Sequence, residues 1–132
     1  MESYRAGGLH VVRSGPPQGT APAGPPLLLV HGATHGAWCW ELWQEKLPEL
    51  GWETHALSLR NHPDSYPVVE ETFRTTLKVA DYADDVAAVA NQLAAPCVVV
   101  GHSMGAWWPR ASWPKASWPK ASGTSGGTRH LR

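Results

Sequence analysis

Cys97-Val98-Val99-Val100-Gly101-His102-Ser103-Met104-Gly105-Ala106 (CVVVGHSMGA) is the stretch that decides the fold. Four apolar residues in a row, introduced by Pro96, read as a strand buried on both faces, as in a parallel sheet. The next five residues fit G-x-S-x-G. That spacing has a mechanical reason. A serine on a sharp turn between a strand and a helix leaves no room for side chains at its flanking positions, so Gly101 and Gly105 are required there. The turn would lift the Ser103 hydroxyl above the carboxyl end of the sheet, where open α/β sheets bind ligands.

Working back from the serine, Asp81 is expected to cap a helix whose apolar stripe is Tyr82, Val86, Val89 and Leu93. Residues 65–80 carry no clear pattern. Trp52–Leu59 reads as a strand, and Trp40–Leu50 as a helix with Trp40, Trp43, Leu47 and Leu50 at helical spacing, stopped by Gly51. Leu27–His31 (LLLVH) is a second fully apolar strand, bounded by Pro26 and Gly32. Leu9–Arg13 is a short strand candidate, and 14–26 a Pro- and Gly-rich loop. Strand, helix, strand, helix, strand predicts an α/β fold with a mostly parallel sheet and flanking helices.

Downstream of the serine the character changes. Residues 108–122 are three pentads, WPRAS, WPKAS and WPKAS, and 123–132 are polar and Gly-rich. A proline every fifth residue forbids a regular helix or a central strand. The expected organisation is therefore one α/β unit over 1–107 and a disordered low-complexity tail over 108–132. Charge divides the same way. The chain has eleven basic and eleven acidic residues, yet Arg110, Lys115, Lys120, Arg129 and Arg132 are the only charged residues beyond 106.

Composition excludes several classes. Cys39 and Cys97 form neither a disulfide framework nor a zinc-ligand pattern and read as buried small hydrophobes. No metal site is expected. No apolar run is long enough to span a bilayer and no signal core precedes Leu9, so the expected setting is cytoplasmic, without a membrane partner. Trp108, Trp113 and Trp118 alternate with Arg110, Lys115 and Lys120 like a crude stacking-and-charge strip for single-stranded nucleic acid. A strip without a fold behind it carries little weight, and nucleic acid is disfavoured as a partner. A basic-tailed binding module for nucleic acid or an acidic partner remains the alternative to an enzyme.

The stretch LLLVHGATHGAWCWELWQEKLPELGWETHALSL (27–59), followed by CVVVGHSMGA, resembles the α/β-hydrolase superfamily over about residues 9–106. Within it, HGATHGAWCWE (31–41) is similar to small esterases related to plant methylesterases and hydroxynitrile lyases. The resemblance implies a partial α/β-hydrolase fold, Ser103 as nucleophile, and the backbone N–H groups of Ala33 and Met104 as oxyanion hole, with Gly32 allowing close approach. It implies a small ester-like substrate, no organic cofactor and no metal. The family places an acid and then a histidine after the serine. Here no Asp or Glu follows Ser103, and His130 is the only later histidine. The expectation is a serine hydrolase of the carboxylic-ester type, cut after its nucleophile turn and weakly active or inactive alone.

Other conspicuous residues have structural readings. His31 and His35 are expected to shape the Gly-rich turn, His102 to face away from the pocket, and His55 and His62 to be exposed strand-end residues. Asp81, Asp84 and Asp85 are expected to form a solvated helix start favoured by the helix dipole. Trp38, Trp40, Trp43 and Trp52 are expected in the core and pocket wall.

Overall fold

A computed structural model describes residues 1–94, 96–106 and 128–130. Six strands form one sheet in the order β1-β2-β4-β3-β5-β6: β1 (Glu2–Ala6), β2 (Leu9–Ser14), β3 (Leu27–Val30), β4 (Thr54–Leu57), β5 (Val98–Gly101) and β6 (Thr128–His130). The centre is parallel, as the apolar runs predict: β3 pairs with β4 on one side and β5 on the other. The margins are antiparallel, so the sheet is mixed: β2 pairs antiparallel with both β1 and β4, and β6 with β5. The expected disordered tail lies outside the described residues except for Thr128–His130, which cover the outer edge of β5.

Two layers of apolar side chains flank the sheet because successive strand residues face opposite ways. Leu28, Val30 and Val99 pack with Ala83, Val86 and Val89 of helix α3 (Val79–Gln92). Leu27, Leu29 and Val98 pack with Ala37 and Trp40 on the opposite face. All four residues of β3 are buried, which is why LLLV carries no polar position.

The predicted helix over 40–50 is a relay: 3-10 turns at Ala37–Trp40 and Leu47–Leu50 flank helix α1 (Glu41–Lys46). Pro48 supplies no N–H and sits at the start of the second turn. Gly51 ends it with φ +85°, the left-handed stop read from the sequence. The buried stripe differs from the predicted one. Trp40, Gln44 and Pro48 face inward, while Trp43 and Leu50 are 50% and 69% exposed. Gln44 is the inward residue because its amide donates to Val12 O at 2.8 Å and Thr54 Oγ1 at 3.2 Å, satisfying polar groups of β2 and β4.

The unassigned stretch 65–80 contains the short helix α2 (Glu70–Thr75) and the start of α3. Asp81 is not the cap of α3. Lys78 is, and Asp81, three residues on, accepts the Lys78 backbone N–H at 2.6 Å. Nor is Asp85 solvated: it is 3% exposed and paired with Arg60, Nη2 to Oδ1, at 2.8 Å. His55 is likewise buried rather than exposed, held between Tyr4 Oη at 2.9 Å and Glu53 Oε1 at 2.8 Å. Among the described residues no helix is long and apolar enough to cross a membrane.

Candidate active site

The chain runs from β3 out to β4 and returns on the other side of β3 to form β5. The carboxyl ends of β3 and β5 are therefore neighbours at the point where the strand order reverses, the usual ligand position in open α/β sheets. Both sequence motifs end there.

After β5 ends at Gly101, His102 N–H donates to Val30 O at 3.0 Å and fastens the turn to β3. Ser103 follows with φ +54°, in the left-handed region that a residue with a Cβ rarely adopts, and opens a 3-10 turn, Ser103–Ala106. The turn closes with Gly105 N–H on His102 O at 2.9 Å. Both glycines are sterically fixed. A Cβ on Gly101 would strike the Gly105 carbonyl oxygen and lie 2.5 Å from Ala106 N. A Cβ on Gly105 would strike the Val30 carbonyl oxygen and lie 2.6 Å from that of His31. The serine turn is thus pressed onto the end of β3 with no room for a methyl group.

Gly32 completes the contact. A Cβ there would stand 3.1 Å from Ser103 Cβ and 3.2 Å from His102 O. Ser103 and Met104 are exposed above this floor. The Gly32 peptide is itself held by His31, a fully buried imidazole. His31 Nε2 accepts Leu59 N–H at 3.0 Å, so the ring proton is on Nδ1, which donates to Gly32 O at 2.6 Å. A trans peptide is planar with its C=O and N–H opposed. Pinning the Gly32 carbonyl toward His31 turns the Ala33 N–H the other way.

Burial lowers the His31 pKa to about 4, helped by nearby His62 and His35 and opposed by the Gly32 carbonyl. The folded chain therefore resists protonating His31, whereas the unfolded chain protonates it near ~6.5. This contribution to stability is complete above that pH and declines as pH falls toward about 4. The full loss is about 3 kcal/mol, at roughly 1.36 kcal/mol per pH unit. His31→Gln keeps an acceptor for Leu59 but cannot be protonated. Urea unfolding between pH 7 and 4.5 is expected to show a shallower decline in His31→Gln than in the wild type, and parallel curves would refute this.

His102 does not face away from the pocket. Its Nδ1 lies 3.4 Å from the same Cβ position on Gly32, and its ring stacks on His35 with centroids 6.0 Å apart and planes at 22°. His35, Cys39, Trp40, Trp43, Val100, Gly101 and His102 line an open hollow of about 380 Å³ beside the serine turn. Of the four tryptophans expected in the core and pocket wall, Trp40 and Trp43 line it, whereas Trp38 is largely exposed. Cys39 and Cys97 are poor nucleophiles: burial raises both thiol pKa values, that of Cys97 to about 11.

Among the described residues, no group of three or more His, Cys, Asp or Glu is placed to hold a metal. His130 is in register with Val98, at the amino end of β5. Three residues of strand, about 10 Å, separate that position from Gly101. The tryptophan-basic strip at 108–120 lies outside the described residues.

The family model described as "Alpha/beta hydrolase family" matches residues 27–123. Solved structures share the architecture at low identity. An epoxide hydrolase from Vigna radiata aligns with a TM-score of 0.65 at 20% identity, covering 82% of this chain and 32% of that one. A thioesterase domain from the curacin biosynthetic pathway gives 0.65 at 24%, over 81% and 38%. An epoxide hydrolase from an endophytic Streptomyces gives 0.61 at 25%, over 80% and 30%. The chain thus spans about a third of the length of these structures. No curated protein matches the sequence.

Proposed function

The chain belongs to the α/β-hydrolase family, and from that premise we propose that it carries the nucleophile end of an acyl-transfer site, with Ser103 attacking a small carboxylic ester or thioester. One observation carries the reading. Ser103 holds a left-handed backbone between β5 and a 3-10 turn, and its Cβ approaches the Gly32 backbone. A strained serine persists where the surrounding structure imposes it, and such strain clusters at functional sites.

The roles follow from the chemistry of acyl transfer. The Ser103 oxygen adds to the substrate carbonyl, and the carbonyl oxygen takes up the electron pair as an oxyanion. Backbone N–H groups aimed at that charge stabilise it. Met104 N–H, directly after the nucleophile, is one donor in this reading. Ala33 N–H, turned away from His31 by the pinned Gly32 peptide, is the other. Collapse of the adduct expels the alcohol or thiol, and water releases the acid from the serine ester. The apolar hollow along Trp40, Trp43 and Val100 suits the hydrocarbon part of an acyl group. The serine at the turn, whose hydroxyl can form and release an acyl ester, favours this acyl chemistry over epoxide opening.

A fluorophosphonate probe tests the assignment, because it phosphonylates a nucleophilic serine and releases fluoride. Incubation of the full chain followed by peptide mass analysis is expected to give one adduct, on Ser103. An adduct elsewhere, or none, rejects Ser103 as the nucleophile.

A further inference from the structure

The hollow beside the serine turn is mostly aromatic and apolar, with Trp40, Trp43, Val100 and Cys39 joined by His35 and His102. Among the described residues no Asp, Glu, Lys or Arg lines it. Two of its side chains nevertheless keep a buried nitrogen with no hydrogen-bond partner among the described residues: Trp40 Nε1 and His35 Nδ1. Among those residues they are the two buried side-chain nitrogen or oxygen atoms in that state, and both belong to this one hollow.

Trp40 is the sharper case. It is 6% exposed and packs with Leu27, Leu29 and Ala37. A phenyl ring would serve that packing without burying a donor. A buried indole N–H normally finds an acceptor, and here the chain supplies none among the described residues.

We propose that the hollow binds a neutral, largely apolar acyl group carrying a carbonyl or ether oxygen, with Trp40 Nε1–H donating to that oxygen as the specificity-determining contact. The donor set fixes the class. An indole nitrogen only donates, so the ligand atom must accept. His35 Nδ1 donates or accepts according to its tautomer and serves a second polar atom of the ligand. With no charged residue in the wall, an ionised ligand would lose its hydration without gaining a partner. A plain hydrocarbon fills the same space but leaves the buried donor unpaired, so it is disfavoured. Trp43 stands edge-to-face against Trp40, with centroids 5.2 Å apart and planes at 78°, and is 50% exposed. It is the lining ring with room to change rotamer and uncover the indole edge. The hollow also reaches Gly101 and His102, directly before Ser103. That the ligand is the acyl part of a substrate rests on the reading of Ser103 as nucleophile; the contact with Trp40 does not.

The test uses the full isotope-labelled chain and two probes of nearly one shape. Acetophenone carries the oxygen, and isopropenylbenzene has a methylene group in its place. The indole N–H signals are followed by NMR, with Trp40 assigned in the wild type. Acetophenone is expected to move the Trp40 signal downfield, and isopropenylbenzene to leave it nearly in place. A Trp40 signal that moves equally with both, or that acetophenone fails to move, overturns the proposal. Trp40→Phe removes the donor, and the room it leaves is offered to both probes alike. The ratio of their dissociation constants is expected to shift about 10-fold against acetophenone, and an unchanged ratio in a folded variant overturns the proposal. If that variant fails to fold, the wild-type signals decide. Acetophenone is also expected to slow phosphonylation of Ser103, and an unslowed rate overturns the placement of the ligand beside the nucleophile. A wild-type chain with no Ser103 adduct overturns the nucleophile reading instead, and the Trp40 signal still decides the hollow.

Discussion

Ser103→Gly is expected to abolish fluorophosphonate capture and, in the same protein, to raise stability by about 1 kcal/mol. The first effect follows from removing the only atom proposed to attack. The second follows from the backbone. Ser103 has φ +54°, where a Cβ crowds the neighbouring carbonyl by roughly 1–2 kcal/mol. Glycine escapes that crowding but loses more chain entropy on folding, about 0.5–1 kcal/mol. The difference favours glycine. Gly32, Gly101 and Gly105 already hold the turn against β3, so the bend does not depend on the serine side chain. Urea unfolding of the variant against the wild type reads the sign. A destabilised Ser103→Gly would show that the serine backbone is relaxed and that its side chain supports the turn.

Asp85→Ala is expected to destabilise the fold by about 3–5 kcal/mol, the range for removing one partner of a buried ion pair. Asp85 is 3% exposed. It accepts from Arg60 Nε at 3.1 Å, Arg60 Nη2 at 2.8 Å and Arg60 backbone N–H at 3.0 Å. Arg60 Nη2 also reaches Asp81 O at 2.9 Å, so the pair clamps the loop after β4 onto α3. Its hydrogen bonds to Asp85 are the main reason the Arg60 pKa is raised. Truncation would leave the guanidinium and a backbone N–H in that pocket without their acceptor. The Arg60 side chain is 21% exposed, and the water reaching it places the expected loss in the lower part of the range. Domains of this kind are stable by only about 5–15 kcal/mol, so the variant would unfold at much lower urea. A loss below about 1 kcal/mol would mean that solvent already screens the pair as it does at an open surface.

Several features were legible because they are local. LLLV is a strand buried throughout, the VVV of β5 is a strand whose first two valines are buried, and G-x-S-x-G next to it specifies a tight turn. Gly51 stops its helix by its own backbone freedom. One local signal was present and unused: Gly7-Gly8, between Ala6 and Leu9, have φ +57° and +84°, the two-glycine turn that joins β1 to β2 as a hairpin. Other features needed partners distant in sequence. Asp85 follows Asp81 and Asp84 in a helix start that reads as solvated, and only the loop carrying Arg60 buries it. His55 reads as a strand end until Tyr4 and Glu53 close over it. Gln44 turns inward because β2 and β4 present a carbonyl and a hydroxyl to it.

The sequence by itself determined the α/β class, the central parallel strands, the serine turn and the glycines it needs, because backbone sterics and strand periodicity act within a few residues. Tertiary structure alone decided which charged and polar groups are buried, that His31 pins the Gly32 peptide, and that His130 is registered at the amino end of β5. Those outcomes depend on strand order and register, and contacts between distant segments are set by the packing of the whole sheet rather than by any short stretch of chain.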